Sequence, residues 1–365
     1  MTIGFLTNII SPHQLPLARE LVNLVGEENY LYVHTDAFHS ERAKLGWSQD
    51  VTDVKHANYD EASRQWLLNA DLVYLELRDF DLIEERLKSG KPTFYVCERW
   101  FKPVVGSWWL VAGGWRSGVC RWIDSWVGRV RMLVPGYRKM ARRLLSASKS
   151  PKFRCLSQGP WAKKDFLWLG IPPEKIVDWG YFVAPSTGHR PSGTSRQPLK
   201  LLWAGRMLGL KRVSDIVRAV GCVVKKGHAV TLTLVGNGPE RARLEHQVRQ
   251  LHCDDAVTLR DSVPINEVRE LMRAHGCYVF SSNAYEGWGA VVSEALEEGM
   301  DVLGTWECGA CPALLPRERL YHAGDWKSLA KLIERECRGE LPQCSVGEWT
   351  AKAAARRMLK VCETC

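Results

Sequence analysis

Short apolar runs of strand length alternate along this chain with amphipathic runs of helix length, and the alternation halts once and then starts again. The runs at 3–10, 30–34, 72–77 and 93–97 read as buried strands, with helical patterns at 15–24 and 82–87 between them. Such alternation predicts a parallel sheet built from strand–helix–strand units. A further strand at 153–157 and a helix at 161–169 follow. The stretch 184–198, APSTGHRPSGTSRQP, is dominated by Pro, Gly, Ser and Thr and reads as a flexible join. Beyond it, strands expected at 199–204, 230–235, 257–259 and 277–281 alternate with helices expected at 213–224, 239–251 and 265–274. The expected organisation is a first α/β domain over 1–185, a linker over 186–198, a second α/β domain over 199–345 and a C-terminal helix within 346–365 that packs back on the first domain. A chain of 365 residues is long enough for two such cores.

Composition narrows the class without naming a function. Hydrophobic residues at 45% and charged residues at 25% exclude a disordered chain, a collagen-like fibre and a coiled coil. The longest apolar stretch, 104–115, falls short of the roughly 18 residues a spanning helix needs. No secretory leader is read at the start, so a cytoplasmic location is expected. The 12 cysteines include two CxxC pairs, Cys308 with Cys311 and Cys362 with Cys365. Their separation exceeds the usual zinc-site gap, so they read as coincidence in a reduced chain, and no metal is expected.

Charge is unevenly placed. Residues 1–100 carry 10 Lys/Arg against 16 Asp/Glu, whereas 101–150 carry 10 Lys/Arg against a single Asp. The basic segment also holds Trp108, Trp109, Trp115, Trp122 and Trp126. Cationic charge mixed with indoles suits an anionic membrane surface. A nucleic-acid surface fits the same composition, but no RNA-binding motif accompanies it and no nucleic-acid partner is expected.

Four motifs sit at the ends of expected strands. Gly205-Arg206 followed by Lys211 places two cations where a diphosphate could be clamped; two solvated surface cations are the plain alternative. Gly236-Asn237-Gly238-Pro239-Glu240 allows close backbone approach to a ligand, or is an ordinary strand-to-helix turn. Glu286-Gly287-Trp288-Gly289-Ala290 precedes a helix whose first amides form an anion site. Glu294 lies eight residues on, about 12 Å along a helix, too far for Glu286 and Glu294 to act as a glycosidase pair on one bond. In the first domain, Ser11-Pro12-His13-Gln14 follows the first strand. His13 either contacts a phosphate or caps the next helix.

Together these residues resemble the family-4 retaining glycosyltransferases of GT-B fold. The likeness is strongest over 199–300, on Gly205-Arg206 with Lys211, the Gly236-Asn237-Gly238-Pro239 turn and the EGWGAVVSEA segment. The opening TNIISPHQLPLAREL is similar to a subset of the same enzymes. The resemblance implies two Rossmann-like domains facing each other across a cleft, and transfer of a sugar from a UDP- or GDP-sugar to a glycan or polyprenyl-linked acceptor without a metal. It implies that Arg206 and Lys211 hold the donor diphosphate and that Glu286 meets hydroxyls of the donor sugar. Gly287, Trp288, Gly289 and Ala290 would offer amides to sugar and phosphate, and Glu294 would bind the ribose. Gly205, Gly236, Gly238 and His13 complete the expected donor site. A role in cell-surface polysaccharide synthesis at the inner face of a membrane follows as an expectation. The chain departs from the family where Glu98-Arg99-Trp100 replaces a frequent histidine after the fourth strand, and where Gly299-Met300-Asp301-Val302 replaces Gly-Cys-Pro-Val. An epimerase of the same fold and a non-catalytic membrane scaffold are the alternative readings.

Overall fold

The computed structural model describes residues 1–36, 51–101, 130–186 and 198–365. All five tryptophans of the basic segment, and most of the expected linker, lie outside the described residues. The chain divides into two compact units, Met1–Val183 with Glu348–Cys365, and Ala184–Gly347.

In the first unit the order is β1 (Ile3–Thr7), α1 (Leu15–Val25), β2 (Tyr30–His34), β3 (His56–Asn58), α2 (Glu61–Asn69), β4 (Leu72–Leu75), α3 (Phe80–Lys88) and β5 (Thr93–Cys97). Then come α4 (Pro135–Ala147), β6 (Phe153–Gln158), α5 (Pro160–Trp168) and β7 (Ile176–Trp179). The strands form one parallel sheet in the order β3-β2-β1-β4-β5-β6-β7. Strands β1, β4 and β5 are buried along their whole length, as the continuous apolar runs require when helices cover both faces.

In the second unit the order is β8 (Leu199–Ala204), α6 (Val213–Lys225), β9 (Val230–Val235), α7 (Arg241–Leu251), β10 (Val257–Arg260), α8 (Ile265–Ala274) and β11 (Cys277–Val279). It continues with α9 (Ala290–Glu297), β12 (Asp301–Thr305), α10 (Ala310–Leu314), β13 (Leu320–Tyr321) and α11 (Trp326–Cys337). The sheet is again parallel, in the order β10-β9-β8-β11-β12-β13. This is a Rossmann-type strand order. Ile216, Val217, Val220 and Val223 form the buried stripe of α6 against the sheet.

The last helix, α12 (Ala351–Glu363), belongs to the first unit. Its buried residues Ala351, Ala354, Ala355 and Met358 recur at helical spacing and join the cluster of Leu15, Ala18 and Leu21 on α1. The Thr350 hydroxyl accepts from the Ala353 amide at 3.2 Å and caps the helix start.

Candidate functional site

In the second sheet the direction of strand succession reverses between β8 and β11. In open α/β sheets a ligand crevice forms at the carboxyl ends of the strands at such a reversal. The two loops concerned run from Gly205 to Arg212 and from Phe280 to Gly289, and they are tied together. The Ser281 hydroxyl donates to the Lys211 carbonyl at 2.6 Å, and the Asn283 amide donates to the Leu210 carbonyl at 3.0 Å. The Lys211 ammonium forms an ion pair with the Glu286 carboxylate, both side chains being about four-fifths buried. Arg206 is exposed, and its guanidinium makes no hydrogen bond or ion pair with the described residues.

The glycine turns hold this edge flat. Gly236 has φ +143°, and a Cβ there would lie 1.9 Å from the Gly205 carbonyl oxygen. Gly238 has φ +154°, with the place of its missing Cβ 2.5 Å from the Met207 carbonyl oxygen. Only glycine fits two backbones this close. Reciprocal bonds lock the two loops: the Met207 amide donates to the Asn237 carbonyl at 2.8 Å, and the Glu240 amide to the Met207 carbonyl at 3.1 Å. The Tyr278 hydroxyl donates to the Ala204 carbonyl at 2.9 Å and accepts from the Ala204 amide, fixing the end of β8. Burial holds that phenol well above its ordinary range, so it stays a neutral donor.

Helix α9 starts at this edge behind Gly289, whose φ of +84° is left-handed, and it has no side-chain cap. The Val292 amide donates back to the Gly289 carbonyl at 3.0 Å, and the helix dipole favours an anion at this end. The Trp288 side chain is fully buried, and its indole N–H donates to the Ser293 hydroxyl at 3.1 Å. What Trp288 can offer a ligand is thus its backbone. Glu294 is 8% exposed, one turn into the helix. Arg206, Lys211, Glu286 and the 287–290 turn thus share the two loops at one strand-order reversal.

The first sheet has its own reversal, between β1 and β4. There His13, Gln14, Glu76, Gln158 and Tyr181 line a cavity of about 20 Å³, room for about one ordered water. Glu76 accepts from Thr7 at 2.9 Å, Gln14 at 2.6 Å and Gln158 at 3.5 Å. The Tyr181 hydroxyl donates to Glu98 at 2.9 Å, and its ring lies 6.1 Å from that of His13. Glu76 was not among the expected site residues. The available signal was an acid inside the run 72–77 that reads as a buried strand.

Burial pushes the Glu76 carboxyl from an ordinary 4.5 up to about 7, and the charge of Glu98 acts in the same direction. The folded chain therefore holds a proton that the unfolded chain releases above 4.5, and stability falls as pH rises towards 7. Relative to the wild type, Glu76→Gln is expected to gain about 2–3 kcal/mol in unfolding free energy between pH 5 and 8. Denaturant titrations at both pH values check this; parallel pH profiles of the two proteins would refute it.

Residues 187–343 match the family described as glycosyl transferases group 1. The match covers most of the second unit and less than half of the chain. The chain is 22% identical over 166 residues, 46% of its length and 36% of the relative's, to the GPI3 subunit of phosphatidylinositol N-acetylglucosaminyltransferase from Saccharomyces cerevisiae. The chain thus spans about a third of the length of that curated relative. A second relative, the GtfA subunit of UDP-N-acetylglucosamine–peptide N-acetylglucosaminyltransferase from Limosilactobacillus reuteri, is 25% identical over 115 residues, 32% of this chain and 22% of that protein. Among solved structures, the lipopolysaccharide outer core galactosyltransferase WaaB is similar with a TM-score of 0.66 at 15% identity, over 99% of each chain. A complex of Anabaena Alr3699/HepE with UDP is similar with a TM-score of 0.62 at 15% identity, over all of this chain and 95% of the other. The likenesses to solved structures establish the GT-B fold, with two Rossmann-like units.

Proposed function

We propose that the chain is a retaining glycosyltransferase that moves a sugar from a UDP- or GDP-sugar to a glycan or lipid-linked acceptor, in the synthesis of a cell-surface polysaccharide. One observation carries this reading: at the strand-order reversal of the second sheet, two loops are locked so that Arg206, the Lys211–Glu286 pair and the start of α9 share one edge. The solved HepE complex contains UDP, and the reading extends that ligand class to this chain.

The chemistry follows from charge. A departing nucleoside diphosphate gains negative charge in the transition state, and fixed cations and amides stabilise it there. Arg206 supplies a planar fork and the α9 amides supply oriented dipoles. In the structure Lys211 is engaged by Glu286. A bound donor gives each a better partner: the diphosphate takes Lys211, and the sugar hydroxyls donate to Glu286. Glu294 meets the ribose, and no metal enters the scheme. The test is a panel of nucleotide sugars with lipid-linked and free glycan acceptors, the anomeric configuration of the product being read by NMR. A product of retained configuration supports the reading. An inverted product, or interconversion of the donor with no acceptor, overturns it.

The proposal includes peripheral binding to an anionic membrane. Leu133 and Val134 are among the most exposed apolar residues, at 71% and 56%. They precede α4, which exposes Arg138, Lys139 and Arg142. Each such cation adds about 1 kcal/mol of attraction to an anionic surface. The double substitution Leu133→Asp with Val134→Asp is expected to lower binding to vesicles containing phosphatidylglycerol at least ten-fold, read by co-sedimentation. Undiminished binding would place the contact elsewhere.

A further inference from the structure

The Cys308-x-x-Cys311 motif finds no role in the scheme above, yet the structure places it directly behind the donor turn. Both thiols are fully buried at the start of α10. Among the described residues no group of three or more metal-ligating side chains exists, so the pair is not part of a recognisable metal cluster.

Three bonds run from this motif to the turn. The Gly309 amide donates to the Gly287 carbonyl at 2.9 Å, and the Ala310 amide to the Trp288 carbonyl at 2.8 Å. The Cys308 thiol donates to the same Trp288 carbonyl at 2.7 Å. The packing leaves no slack on either side. A Cβ on Gly289 would lie 2.7 Å from the Cys308 sulfur, and one on Gly304 would lie 2.4 Å from the Cys311 sulfur.

The peptide plane turns these bonds into a directional device. In a trans peptide the carbonyl of one residue and the amide of the next point in opposite directions. Pinning the Gly287 and Trp288 carbonyls onto residues 308–310 therefore aims the Trp288 and Gly289 amides away from that motif. We propose that Cys308 is a positioning residue for the donor site: its thiol, with the two neighbouring amides, sets the direction in which the 287–289 backbone presents its N–H groups to a nucleoside diphosphate. This inference rests on the reading of that edge as a donor site, but its structural half stands independently of it.

Two variants separate positioning from bulk. Cys308→Ser keeps a donor to the Trp288 carbonyl, and Cys308→Ala removes it at similar volume. Cys308→Ala is expected to raise hydrogen–deuterium exchange in the 286–292 peptide, with Cys308→Ser close to the wild type. In titrations with UDP and GDP, Cys308→Ala is expected to bind the preferred nucleotide about five-fold more weakly, with Cys308→Ser within two-fold and the KM for acceptor unchanged in both. Equal exchange in all three proteins, or a serine variant as impaired as the alanine one, overturns the proposal. If the wild type binds neither nucleotide, the donor-site reading fails, and the exchange comparison alone decides whether Cys308 directs the turn.

Discussion

Glu286→Ala is expected to cut transfer by at least 10²–10³-fold while the fold survives. The carboxylate sits in a loop, is partly exposed and makes one ion pair, so little packing is lost. Its removal frees Lys211 from its partner. The ammonium then meets an incoming diphosphate without first leaving a carboxylate, so UDP or GDP is expected to bind at least as tightly as before. Lys211→Ala differs, because it weakens nucleotide binding and transfer together. The pair of measurements, turnover and calorimetric affinity on both variants, distinguishes a sugar-contacting acid from a general support of the loop. Full activity in Glu286→Ala would remove the residue from the site.

The second large effect concerns stability. Arg319 is fully buried in the second unit, within 3.1 Å of carboxylate oxygens of both Asp301 and Glu336. Its Nε also donates to the Pro342 carbonyl. Arg319→Met leaves two carboxylates, each at most 10% exposed, without the guanidinium that lies against both. Removing one partner from such a buried group costs about 3–5 kcal/mol. The melting temperature of the unit is expected to fall by about 10 °C. Adding Asp301→Asn and Glu336→Gln to the same variant removes the stranded charges and is expected to recover most of the loss. A single variant as stable as the wild type would mean that the carboxylates are protonated or hydrated in the native state.

The parts of the fold that were legible in the sequence are those where one physical signal dominates. The strands at 30–34, 93–97, 199–204 and 230–235 have the expected bounds, because mostly apolar runs end at polar residues or glycine. Strand β3 gave no such run, since it is a three-residue edge strand with exposed residues. Helix α4 was hidden under the positive charge of 101–150, although Tyr137, Ala141 and Leu144 mark its buried stripe. Helix α11 was not expected either, yet its Asp325 cap, which accepts from the Ser328 amide at 3.0 Å, was a readable start signal. The strand expected over 277–281 ends at Val279; the Phe280 amide still bonds the Leu303 carbonyl at 2.8 Å, and Ser281 then turns to the Lys211 carbonyl.

The candidate site divides in the same way. Its glycines could be read, since close backbone approach at 236 and 238 admits nothing else. The partners could not. The Lys211–Glu286 pair spans 75 residues, and the clamp of Cys308 on Trp288 spans 20; both depend on the order in which strands are laid down. Glu76, the donors around it and the proton it holds near neutrality depend on three strand ends converging, which no local pattern encodes.

In the proposed function the strand-order reversal of the second sheet grips a nucleoside diphosphate. Calorimetric titration of the full chain with UDP and with GDP, repeated on Arg206→Ala, tests it most directly. Saturable binding of one of the two nucleotides is expected, weakened about ten-fold or more in the variant, since one charged hydrogen bond is worth about 1.5–3 kcal/mol. Absence of heat with both nucleotides, or equal affinity in Arg206→Ala, would contradict it.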